Sequence, residues 1–148
     1  MDFNLQQLIK EMVVTRLKAL DEPCAAAVEI AKKTLVIILK ENTSLEFSKR
    51  QIEESCHGTM VGLLLAEQNL PKAAVLLLEM TGELATQLNL DPMEIMRSAL
   101  EGIAHIRKLQ THQQIADIQK AISRNFMGAG EAFAALLAQE PSEQSVRN

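Results

Sequence analysis

Apolar positions fall into stretches with helical spacing, divided by short polar punctuation. In "NLQQLIKEMVVTRLKAL", Leu5, Leu8, Ile9, Met12, Val13 and Leu17 recur three or four residues apart, which predicts a helix capped at Asn4 and ending near Leu20. "DEP" stops it. Pro23 suits a first helical position, where its missing N–H would have no partner, and opens a second helix to about Asn42. "NTS" supplies the cap of a third helix running from Leu45 to about Asn69, and Pro71 opens a fourth reaching about Leu88. In "NLDP", Asp91 caps and Pro92 begins a fifth helix that extends to about Leu109. Thr111 with Gln114 reads as a capping box for a sixth, ending near Asn125. "FMGAGEAF" breaks or kinks the chain before a short alanine-rich helix that ends near Gln139.

No stretch keeps the alternation of a strand, and every connection is short. The pattern therefore predicts an all-α, single-domain compact bundle of about five to seven helices with antiparallel neighbours, over residues 1–139. "EPSEQSVRN", residues 140–148, is polar and proline-containing, and reads as a flexible tail. Three segments are apolar almost all the way round: "TLVIIL", "MVGLLLA" and "AAVLLL". They point to the second, third and fourth helices as the core layer.

Composition changes this picture little. The chain has 148 residues, 47% of them hydrophobic, with no Trp or Tyr and four Phe. Aliphatic side chains and methionine must build the core, a mix that suits helices. A net charge of −4, spread along the chain, argues against a general nucleic-acid or anionic-membrane footprint. The N-terminus has no basic start followed by an apolar run, and the longest apolar runs fall well short of the roughly 20 residues that cross a bilayer. Cys24 and Cys56 make no metal spacing. The expectation is a cytoplasmic protein with no cofactor or metal.

Candidate chemistry centres on "ESCHG", Glu54 to Gly58. Glu54 and His57 form a Glu-x-x-His, Glu101 and His105 a looser pair, and Glu29, Glu79 and Glu83 lie on other helices, which raises the possibility of a carboxylate-bridged metal pair. Ligands of such a site must project inward. At about 100° per residue, these side chains fall instead with lysines and arginines on polar faces, so no metal site is expected and Arg97–Glu101 and Glu101–His105 pairs on an exposed face are. Glu54 and His57 are placed away from the core stripe, exposed or bonded to each other. Ser55, Cys56 and His57 are consecutive and fan out in different directions, which rules against a nucleophile–base pair. Cys24 sits in a first helical turn, where the helix dipole favours a thiolate, but a small buried side chain is the commoner role.

Ser48, Ser55, Gly62 and Ala66, with Gly58 at the margin, make a seam of small residues on the third helix, and a close backbone approach is expected there. Val36, Val61, Leu64 and Val75 fall off their core stripes and form the expected partner interface. The function expected is that of a non-catalytic helical binding protein, regulatory, adaptor or accessory, working through protein–protein contacts and self-association as a homodimer. The alternative is a nucleic-acid-binding regulator that uses Arg107, Lys108, Lys120 and Arg124 of the fifth and sixth helices; an enzyme whose site carries no recognisable motif comes third.

Overall fold

The computed structural model describes residues 22–42 and 44–147, with side chains to Gln139. The helix expected over Asn4–Leu20 lies outside the described residues. Six α-helices follow: α1 (Pro23–Glu41), α2 (Leu45–Leu65), α3 (Leu70–Gln87), α4 (Pro92–Ala104), α5 (His112–Asn125) and α6 (Ala129–Arg147), with a 3₁₀ turn over His105–Leu109. No strand occurs among the described residues.

Local chemistry sets most boundaries. The Ser44 hydroxyl accepts from the Phe47 amide, Asn69 Oδ1 from that of Lys72, and Asp91 Oδ1 from those of Met93 and Glu94, each satisfying amides that a helix start leaves unpaired. At Thr111 and Gln114 both halves of the capping box form, at 3.1 and 2.9 Å. Three boundaries differ from the sequence pattern, the first being the end of α6, which is helical to Arg147 where the pattern ends it near Gln139 and reads a flexible tail. α2 stops at Leu65 rather than near Asn69, because Glu67 turns into the left-handed region (φ 57°) and frees Asn69 to cap α3. α4 is α-helical only to Ala104 and tightens into the 3₁₀ turn for its last residues. Gly128, at φ 81°, breaks the chain between α5 and α6.

The core is one continuous apolar cluster drawn from every helix, with Leu39, Ile52, Met60, Leu77, Ile103 and Phe133 fully buried. α2, α3 and α4 hold the centre, and the α2–α4 contact is the most extensive among the described residues. This corrects the expected core layer. α1 packs on α2 and α3 through Cys24, Val28, Leu35 and Leu39, leaving its far face to solvent, while α4 takes the inner position.

The close helix approach also lies elsewhere than expected. A Cβ added at Gly58 or Gly62 would meet nothing within 4 Å. At Gly102 of α4 it would overlap the Glu53 carbonyl oxygen and lie 3.0 Å from Cys56 Cβ. Ser98 and Gly102, four residues apart, make the flat flank on which α2 rests, and both are buried. The small residues of α2 do face inward in part, since Ser48 and Ala66 are buried, but the backbone contact is made by α4.

Candidate functional site

Three features of the surface carry chemistry or unsatisfied apolar area. The first is a charged seam along α2 and α4. Glu53 Oε2 lies 2.9 Å from His105 Nε2, and the His57 and His105 rings meet edge to face with centroids 5.4 Å apart. Glu101 stands one turn before His105 and pairs with Arg97 Nε at 3.6 Å. Burial and the neighbouring Glu53 carboxylate push the Glu101 carboxyl above the usual glutamate range, against the opposing pull of Arg97 and His105. A Lys49–Glu94 pair at 2.9 Å closes the same seam near the start of α4.

This seam corrects the expected orientation of two residues. Glu101 and His105 are half-buried against α2, not set on a free face, and His105 takes Glu53 as its partner. The wheel placed them with charged residues on a polar face, yet Ser98 and Gly102 beside them are buried small residues that let α2 close over that side. His57 is likewise half-buried against His105, with Nδ1 enclosed, while Glu54 is exposed. Arg97 and Glu101 do pair as the spacing predicts. Glu29, Glu79 and Glu83 are exposed, Glu83 holding Lys32 at 2.9 Å across α1 and α3.

Among the described residues no group of His, Cys, Asp and Glu is gathered as metal ligands would be. Cys56 is fully enclosed, and burial raises its thiol pKa to about 12. Cys24 is 2% exposed, its Sγ donates to the Asn69 carbonyl at 3.4 Å, and burial raises its pKa as well. Desolvation outweighs the helix-terminal field here, so neither thiol is poised as a nucleophile.

The second feature is a cleft of about 780 Å³ between α4, the Gly128 break and α6. Met93, Met96, Leu100, Phe126 and Leu136 supply its apolar surface, and Arg97 stands on its α4 wall. A smaller hollow of about 180 Å³, lined by Glu101, His105 and Arg107, shares Arg97, Leu136 and Gln139 with it. The two share that wall, the cleft being the more apolar and the hollow the more polar. Sequence reading missed this cleft, because its walls come from segments some thirty residues apart (Met93–Leu100 and Phe126–Leu136) and are individually unremarkable.

The third feature is the outer face of α1. Ile30 and Ile37 are 59% and 70% exposed, with exposed Thr34 between them on the same side. Val36, Val61, Leu64 and Val75 are each half-buried, and the first three pack against the core cluster. Of the basic residues, Arg107 is half-buried on the 3₁₀ turn beside α6, Lys108 is exposed on that turn, and Lys120 and Arg124 are exposed on α5. They are divided between two elements, with exposed Asp117 one turn from Lys120.

Fold and surface together define a class: an all-α bundle with an apolar-studded helix face that the other described residues leave uncovered, and an amphiphilic cleft. Beyond that class, no family model, curated protein or solved structure matches the chain. Among the described residues no helix is long and apolar enough to cross a membrane.

Proposed function

We propose that the protein acts by binding another polypeptide, a second copy of itself included, through the outer face of α1. The observation that carries this reading is the exposure of Ile30 and Ile37, seven residues apart on one side of a helix whose opposite side is fully packed. A seven-residue repeat with Thr34 at the intermediate turn is the spacing by which one helix lies along another. Two isoleucines this exposed, aligned in a row, present more apolar surface than isolated surface side chains do. Their pairing with a partner helix would remove that surface from water. Lys33 and Lys40 on the same helix are exposed and flank the row, as the charged edges of such a contact would.

The experiment is light scattering after gel filtration, alongside affinity capture from a cell extract, on wild type and on Ile30→Glu/Ile37→Glu. Wild type is expected to elute above its monomer mass of 16.4 kDa or to retain a stoichiometric protein partner, with the double variant losing either. A wild type that stays monomeric at high concentration and retains nothing would overturn the reading. So would a double variant that assembles as wild type does.

A further inference from the structure

We propose that the cleft between α4 and α6 binds a free single-chain amphiphilic carboxylate, with its alkyl chain on Met96, Leu100, Phe126 and Leu136 and its carboxylate on the Arg97 guanidinium. The site is distinct from the α1 face and does not depend on it. Its volume of about 780 Å³ lies within the range typical of small-molecule pockets, which are mostly apolar with a few placed polar groups. The α6 wall presents alanines at Ala129, Ala132 and Ala135, and their short side chains leave the space that the methionines and leucines opposite do not fill. The apolar surface lies on both sides of Arg97 along α4, from Met93 to Leu100, a rise of about 10 Å, and continues across the cleft on Phe126 and Leu136, which gives room for an alkyl chain of medium length.

Charge sets the class of ligand. Arg97 lines both the cleft and the smaller hollow, while Glu94, which also lines the cleft, has its carboxylate held by Lys49 at 2.9 Å. Arg97 is 64% exposed, and its Nε stands 3.6 Å from the Glu101 carboxylate, a long contact. A carboxylate arriving along the cleft can accept from the guanidinium in the bidentate geometry that makes such pairs strong. A neutral alcohol of the same length gains the apolar contacts without the charge-assisted pair.

The test is calorimetric titration of the full chain at pH 7 with decanoate, decan-1-ol and butyrate. Decanoate is expected to bind one to one, decan-1-ol at least about tenfold more weakly, and butyrate not measurably, since each methylene removed from apolar contact weakens binding severalfold. Arg97→Gln is expected to weaken decanoate by about tenfold and to leave decan-1-ol unchanged. Ala132→Trp fills the cleft from an exposed position and is expected to abolish binding of both; Ala135→Phe, also exposed, repeats the block if the first variant does not fold by circular dichroism. Equal affinity for decanoate and decan-1-ol, or decanoate binding unaffected by Arg97→Gln or by a folded cleft-filling variant, would overturn the proposal. Co-sedimentation with phosphatidylglycerol vesicles in the absence of decanoate binding would overturn it too, assigning the cleft to a membrane lipid.

Discussion

Gly102→Ala and Gly62→Ala make the same chemical change in two helices and are expected to move stability in opposite directions. In a helix interior, alanine is favoured over glycine by roughly 0.5–1 kcal/mol, through the backbone entropy glycine loses on folding. At Gly62 nothing lies within 4 Å of an added Cβ, so that gain should appear in full. At Gly102 the methyl overlaps the Glu53 carbonyl oxygen and presses on Cys56 Cβ at 3.0 Å and the Glu53 carbonyl carbon at 3.1 Å. Carbon atoms in good contact stand about 3.5–4.0 Å apart, so α2 must retreat by roughly 0.5–1 Å. Backbone cannot swing aside as a side chain tip can. The retreat loosens the most extensive helix contact among the described residues, including the Cys56 packing and the Glu53–His105 bond.

Overpacking of this kind costs about 1–3 kcal/mol, so Gly102→Ala should end about 1–2 kcal/mol less stable than wild type after the propensity gain is offset. Urea unfolding followed at 222 nm by circular dichroism measures both variants on one scale. The expected midpoints are higher than wild type for Gly62→Ala and lower for Gly102→Ala. A Gly102→Ala protein as stable as wild type would refute the close approach of α2 and α4. A destabilised Gly62→Ala protein would restore the packing notch to α2, where the sequence pattern alone had put it.

Thr111→Ala removes one half of the capping box and should cost about 1 kcal/mol, lowering the melting temperature by about 2–4 °C. An unchanged melting temperature would mean α5 does not depend on its cap. Both thiols should resist Ellman's reagent at pH 8 in the native state and react at once in guanidinium, because Cys24 is 2% exposed and Cys56 not at all. Rapid native labelling of Cys24 would contradict its burial against Asn69. Glu101 gives a pH signature: a carboxyl whose pKa is raised by folding is bound more tightly to its proton in the folded state, so its ionisation costs stability as pH rises through the unfolded value of about 4.5. Glu101→Gln should therefore be the more stable protein at pH 7 by a modest margin, given the partial exposure of the side chain, and the gap should close below pH 4.5. A gap that widens on acidification would reverse the sign of the effect.

The helices and most of their starts were legible because their causes are local. Asp91 before Pro92 and Thr111 before Gln114 act on amides within three residues, and the sequence places those partners outright. The 3₁₀ turn after Ala104 was not legible, since no Pro or Gly marks it. The charged seam escaped for a different reason. A wheel fixes where a side chain points relative to its own helix axis, and Glu101 and His105 do lie off the apolar stripe of α4. It says nothing about which neighbour arrives on that side. Ser98 and Gly102 were the available signal, two small residues four apart beside a polar row, and they permit α2 to close over residues that would otherwise face water.

That same geometry explains why the partner of His105 is Glu53 and not Glu101. In one helix, residues four apart are neighbours, but the pairing gains little when both remain in water. Once α2 is drawn against Gly102, the Glu53 carboxylate is carried to within 2.9 Å of Nε2 from across the interface, where both side chains are two-thirds enclosed. The less hydrated site makes the cross-helix bond the stronger of the two choices. Glu101, left beside a second carboxylate, turns to Arg97 at the mouth of the cleft. A packing decision made by a glycine thus sets the charges that meet at Arg97, and Gly102→Ala should disturb carboxylate binding in the cleft as well as the stability of the bundle.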